Sequence, residues 1–382
     1  MSPEVHIDTN PEVLRWARES MALSKTQAAE RLGWHTGALE KLENGTVKIS
    51  LSELKEMSKT YKRTVATLLL QAPPLEKGLP RDFRSVDSKE IGHFHEKTIV
   101  AVRKARALSK SLIELKQEVG VASTRFTWHA TLNDTPETIA EQCRALWQLE
   151  EIRQIDDTKL ALETCIEKLE EAGIAVFQLS LTQDGVRGFS LVDETVPIIA
   201  VKRGETSSGK IFTLFHELGH IILNIGGICD ISFNSRIDQV EKWCNAFAAE
   251  ILMPARMVLQ HPLVEEYHAS GILTWPKKDL IALGKQFHAG PLATLRRLLT
   301  LNRTSAAYYA AKHDDWNKPP FARSKHSEGR NVSKETIAEK GKQYVTLAFK
   351  AYDQHRIDLK DLSDYLGVKT DYIQKTRQLL YA

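Results

Sequence analysis

The chain has 382 residues, 42% hydrophobic and 26% charged, with a formal net charge of +3; this is the composition of a soluble globular protein long enough for two to three domains. No apolar run approaches the ~18 residues that a membrane span needs, and the start, MSPEVHIDTNPEV, has neither the basic n-region nor the apolar h-region of a secretory signal. No membrane partner is therefore expected, and the cytoplasm is the expected compartment; Cys143, Cys165, Cys229 and Cys244 are too few for a disulfide framework, which fits a reducing environment.

Residues 1–72 read as a separate unit. In SKTQAAERLGWHTGALEKLENG, Ser24 is a helix N-cap, the helix runs through Arg31, Gly33 makes a turn, and a second helix from about His35 to Glu43 stops at Asn44-Gly45. Further helices are expected at 11–20, 52–60 and 64–71. This five-helix pattern resembles the Xre/Cro-type DNA-binding domain, on the strength of Gln27, Gly33 and Glu43 to Gly45. The resemblance implies that the second helix enters the major groove, with Lys25, Gln27, His35, Thr36 and Lys41 facing DNA. Gly37 and Glu40 are poor groove residues, and ten Lys/Arg stand against nine Asp/Glu in residues 1–70, so no strong basic field supports the docking. Binding of another protein, such as a related repressor, is the competing reading. Domains of this kind often dimerise, which makes a homodimer a candidate assembly.

QAPPLEKGLPRDFRS reads as a Pro-rich linker, and residues 90–170 as mostly helical completion of a core. Short β-rich runs follow at 174–179, 186–192 and 197–201, separated by the turn-forming TQDG and DET segments. A small sheet is expected there, and a free edge beside a cleft could take an extended peptide as a further strand.

The segment IFTLFHELGHIIL comes next. Apolar residues at 211, 212, 215, 218, 221, 222 and 225 predict a buried helix starting near Ser207, Ser208 and Gly209. His216 and His220, four apart, differ by roughly 40° around the helix axis, so both imidazoles reach one metal ion with Glu217 beside it. Two His and a Glu on a buried face need partners, since an unpaired buried polar group costs about 1–3 kcal/mol. A zinc site of this type requires a third protein ligand and one open position.

In IDQVEKWCNAFAAEILMP, residues 240, 244, 247, 248 and 251 recur at helical spacing up to Pro254, so Glu241 begins a mostly apolar helical stretch. Glu250 lies nine residues on, about 180° round the helix, so one of the two carboxylates faces the HELGH helix. The small Ala248 and Ala249 allow close approach on the side shared with Glu241 and Asn245. Glu241 is the expected third ligand and Asp238, one turn earlier, the fallback; a solvated Glu241 favoured by the helix dipole is the bland alternative. Cys229 and Cys244 flank the site, with buried reduced thiols expected. His261, Tyr267 and His268 follow, and surface roles are expected for them.

FTLFHELGHIIL, GICD and ExxCNAFAAEILMP together resemble the ImmA/IrrE-type metallopeptidases of bacteria and their phages. The resemblance implies a zincin-like fold, Zn2+ as cofactor, His216, His220 and Glu241 as its ligands, and Glu217 as general base in peptide hydrolysis. It also implies limited proteolysis of a DNA-binding repressor in stress response, mobile elements or phage-linked defence. LPRDFRS and the long helix after it resemble the region joining the two modules in fused members of this family.

Helices are expected to continue from Val264 to about Lys312. A second linker, DDWNKPPFARSKHSEGRN, then leads to a basic helical tail: residues 303–382 hold fifteen Lys/Arg and ten Asp/Glu. Within the tail, RIDLKDLSDYLGVKTDYIQKTRQLL again reads helix, LGV turn, helix, an element for nucleic acid or for packing on the peptidase. The expected fold is mainly α with a small β-sheet (α+β). Its parts are a five-helix bundle at 1–72, a connector and peptidase domain at 73–312, and a linker with helical C-terminal region at 313–382. Two other functions fit the same residues: a transcriptional regulator whose peptidase-like domain senses a ligand or partner, and the helix-turn-helix component of a toxin-antitoxin-like pair.

Overall fold

Side-chain caps set where the N-terminal helices begin. Asn10 accepts the Glu12 N–H at the start of α1 (Pro11–Glu19), and Ser24 and Ser50 form capping boxes with Gln27 and Glu53 at the starts of α2 (Lys25–Leu32) and α4 (Leu51–Tyr61). Between them α3 spans Thr36–Glu43, and α5 (Val65–Leu68) is shorter than the expected 64–71. Two short strands, β1 (His6–Ile7) and β2 (Ile49–Ser50), pair antiparallel. Leu14, Ala17, Ala28, Leu39, Leu54, Met57 and Tyr61 fill the core, and the buried Arg18 guanidinium is bonded through Nε to Glu43 at 2.7 Å.

The computed structural model describes residues 6–77, 96–181, 186–192, 194–225, 235–316 and 331–381, with backbone alone at 235–238. The chain divides into two compact units, Met1–Arg103 and Lys104–Ala382, and α6 (Glu96–Val119) begins in the first and runs on into the second. Both expected linkers fall largely outside the described residues.

The second unit opens with α7 (Pro136–Leu146) and α8 (Thr158–Glu171). β3 (Ala175–Leu179), β4 (Gly188–Leu191) and β5 (Ile198–Lys202) then form a sheet of order β3-β5-β4, with β3 parallel and β4 antiparallel to β5. Nearly every strand residue is buried, as expected of short apolar runs covered by helices. α9 (Ser207–Ile222) packs on β4 and β5, and α10 (Ser235–Leu252) packs on α9 and α7. α10 starts six residues before Glu241, and Ile237 is the single apolar residue of the S-R-I-D-Q segment that precedes Val240.

Short helices complete this unit: α11 (Ala255–Leu259), α12 (Pro262–Ala269), α13 (Lys277–Lys285), α14 (Pro291–Thr300) and α15 (Ala306–Trp316). The C-terminal region supplies α16 (Val332–Lys340), α17 (Lys342–Asp353), α18 (Leu359–Leu366) and α19 (Ile373–Leu380). α16 lies against β3. The architecture is mainly α with a small β part, and among the described residues no helix is long and apolar enough to cross a membrane.

Candidate functional site

α9 carries the site because its sequence makes it a buried helix with polar groups on one stripe. Thr206 caps it by accepting the Gly209 N–H at 3.2 Å, and Ile211, Leu214, Phe215, Leu218, Ile221 and Ile222 are buried around His216 and His220. The two Nε2 atoms are 3.1 Å apart. Glu241, on α10, brings Oε2 to 3.4 Å from His216 Nε2 and Oε1 to 3.2 Å from His220 Nε2. Among the described residues, these three make the one cluster able to hold a metal ion.

The donor set fits zinc. Tetrahedral arms of 2.0–2.1 Å place neighbouring ligand atoms roughly 3.3 Å apart, the scale of the three separations above. His220 Nδ1 is 3.2 Å from the Ile225 carbonyl, which can only accept, so Nδ1 donates and a neutral ring turns the Nε2 lone pair towards the cluster. His216 Nδ1 stands 3.1 Å from Asn245 Oδ1, which sets the same orientation on the first ring. Two lone pairs at 3.1 Å repel unless a cation or proton lies between them.

Close helix approach makes the cluster compact. A Cβ at Gly219 would stand 3.1 Å from Cys244 Sγ and 3.3 Å from Cys244 Cα, so the glycine of HELGH admits α10 directly against α9. Cys143, Cys165 and Cys244 are buried free thiols, and burial pushes the Cys244 pKa up; Cys229 lies outside the described residues, as does the side chain of Asp238. Glu250 points elsewhere, as the helical spacing requires. It pairs with Arg297 and accepts the Ala255 N–H at 3.0 Å, while its carbonyl accepts from Arg144 at 2.7 Å.

Glu217 is 0% exposed, and neither carboxylate oxygen has a hydrogen-bond partner among the described residues. Burial pushes its pKa up to about 7, partly offset by the His220 charge and by Ser190, whose buried hydroxyl faces it without completing a hydrogen bond. Gly188 also lines this spot: a Cβ there would lie 2.5 Å from Thr213 Cγ2 and 3.2 Å from Glu217 Oε1. Burial holds the His216 pKa down, which favours the neutral imidazole that a metal ligand needs. Burial also works to raise the Glu241 pKa, but its hydrogen bonds to His216 and His220 and their charge hold it well below the usual carboxylate range.

Sequence reasoning gave no role to Ser190 or Gly188, and treated Asn245 only as a neighbour in packing. Asn245 lies four residues after Glu241, on the same helix face, which is the signal that could have found it. His261 accepts the Leu263 N–H at the start of α12, and the Tyr267 hydroxyl donates to Asp279 at 2.6 Å, so both have structural partners; His268 is exposed.

On the N-terminal bundle, His35 occupies the N-cap position of α3 without a side-chain capping bond and is exposed, Thr36 is the first helical residue, and Lys41 is exposed further along α3. Lys25 Nζ is 3.2 Å from Glu40 Oε1, which partly offsets the carboxylate in the expected groove helix. Gln27 uses its side-chain oxygen to accept the Ser24 N–H at 2.9 Å, leaving its amide NH2 for other partners.

Compared with known families, residues 169–298 match the IrrE N-terminal-like peptidase domain and residues 14–68 match a helix-turn-helix domain. The chain joins a helix-turn-helix domain to an IrrE-type peptidase domain. No curated protein and no solved structure matches it. The IrrE-type segment opens in α8 and closes in α14, so it encloses the sheet, α9, α10 and the whole His216, His220, Glu241 cluster. The helix-turn-helix segment runs from α1 to α5. Together they make the protein a regulator with a DNA-binding domain and a peptidase-type domain.

Proposed function

We propose that the protein is a regulatory zinc-dependent endopeptidase whose N-terminal domain binds DNA and whose substrate is a protein, a transcriptional repressor in the first instance. The observation that carries this reading is the buried, unpartnered Glu217 carboxylate beside the His216, His220, Glu241 cluster. His216, His220 and Glu241 would hold the metal. Zinc bound there would supply a lowered water pKa and polarisation of a peptide carbonyl. Glu217 takes a proton from the attacking water and passes it to the leaving amine. β4 pairs with β5 alone among the described residues, and its outer edge offers backbone groups to an extended peptide.

In this reading residues 1–72 form the DNA-binding domain, 73–312 the connector and peptidase, and 313–382 a helical C-terminal region. Lys25, Gln27, His35, Thr36 and Lys41 face the DNA, which places the peptidase near an operator and its bound repressor. The biological setting is stress response or the control of mobile elements and phages.

The test is incubation of wild type and Glu217→Gln with candidate repressors and with whole proteome, reading new N-termini by mass spectrometry. Wild type should generate discrete new N-termini that Glu217→Gln does not. Identical N-termini from both proteins, or none from either in the presence of zinc and DNA, would remove the peptidase assignment.

A further inference from the structure

The C-terminal helices repeat the N-terminal ones in register. A shift of 334, which carries Ser24 to Asp358, lays α1, α2 and α3 on α17, α18 and α19. α1 ends at Glu19 and α17 at Asp353, and Val13, Leu14 and Ala17 are buried as are Leu347, Ala348 and Ala351 at the equivalent positions. α2 and α18 are each 8 residues long and each opens on a capping box, Ser24 with Gln27 and Asp358 with Asp361. Each closes on a left-handed glycine, Gly33 at φ 69° and Gly367 at φ 65°.

The turns are held by the same backbone bonds. Gly33 N–H donates to Glu30 and Trp34 N–H to Ala29; Gly367 N–H donates to Asp364 and Val368 N–H to Ser363. His35 and Lys369 then lead into the next helical segment from extended backbone, and Leu39 and Ile373 are its buried anchors. α19 differs in being entered through a 3-10 turn, Thr370–Tyr372. A left-handed glycine alone is common at helix ends. Three helices and both connections in one constant register define a helix-turn-helix unit, in which the last helix is the one that enters the major groove.

The outer face of that last helix suits the task better than its N-terminal counterpart. Where the first unit has Glu40, Lys41 and Asn44, the second has Gln374, Lys375 and Gln378, all exposed. The carboxylate that opposes phosphate is replaced by an amide able to read adenine, and the cation is kept. Asp371, at the position of Gly37, is the one acidic group at the start of this face, and a carboxylate there can accept from cytosine. Packing uses the opposite face: Ile373 is buried and Thr376 Oγ1 donates to Ser333 Oγ of α16 at 3.0 Å.

We infer that α17–α19 form a second DNA-binding unit, which docks α19 in the major groove of duplex DNA through Gln374, Lys375 and Gln378. This goes beyond the proposed N-terminal DNA binding and does not depend on it. With the proposed N-terminal reading, the chain would carry a reading head on each side of its peptidase segment in sequence.

Fluorescence anisotropy on the full-length protein tests it, with a duplex from upstream of its own reading frame and a random-sequence duplex as probes. The proteins are wild type, Gln374→Glu/Lys375→Glu, Lys41→Glu, and all three changes combined, with thermal melts to verify folding and Lys375→Gln as a gentler variant. The C-terminal double variant should bind about tenfold more weakly or worse, in the wild-type and in the Lys41→Glu background. Lys375→Gln should reduce the slope of log affinity against log salt by about one. Unchanged affinity in both backgrounds overturns the inference, including the case in which the double variant alters only self-association. A Lys41→Glu protein that binds like wild type counts against the N-terminal reading and leaves this one standing.

Discussion

The carbonyl of Ile225 decides which nitrogen of His220 turns its lone pair to the cluster, and Asn245 does the same for His216 through a side chain. That difference makes the His216 arrangement open to substitution. Asn245→Leu removes the acceptor at nearly constant volume, so the ring loses its orientation and Nδ1 is left without a partner. Zinc affinity, measured by competition with a chelator, should fall about 10- to 100-fold. Asn245→Asp keeps an acceptor and should stay close to wild type. Equal affinity for wild type and Asn245→Leu would show that Asn245 does not orient the ligand. Residues of this kind are hard to read from sequence: HELGH announces itself within five positions, whereas the Asn245 partner lies 29 residues away on another helix.

At the scale of elements, the site is the contact of α9 with α10. Gly219 and Cys244 touch at its centre, so the spacing of the proposed ligands is set by a missing methyl group. Gly219→Ala gains about 1 kcal/mol in helix propensity but forces a Cβ to within 3.3 Å of the Cys244 backbone, which cannot rotate away. The helices must part. The expected outcome in urea unfolding is a net loss of about 1–2 kcal/mol, together with weaker zinc binding, and a variant as stable and as zinc-avid as wild type would contradict it. The helices and strands were legible because burial imposes periods of 3.6 and 2 on local sequence. The start of α10 was not, since Ile237 is the single apolar residue between Ser235 and Val240, and the fate of Glu250 was legible only as a direction. Its partners Arg144 and Arg297 come from distant helices that no local pattern connects.

Across the whole molecule, the two family matches cover the segments where motifs are dense, and the C-terminal region lies beyond both. Its helix, LGV turn, helix pattern was visible, but its correspondence with the first domain was not. Few side chains coincide: buried Ala28 stands where Leu362 does, and Leu42 where Thr376 does. Backbone hydrogen bonds and caps preserve what side-chain identity does not, and these can be read only from the fold. The proposed function couples DNA recognition to peptide cleavage, and that proposal rests on the His216, His220, Glu241 cluster. The most direct measurement is therefore the zinc content of purified wild type, Glu217→Gln, His216→Ala and Glu241→Ala by elemental analysis after gel filtration. About one zinc per chain is expected in the first two and essentially none in the last two. A wild type without zinc, or a Glu241→Ala protein that retains it, would contradict the account.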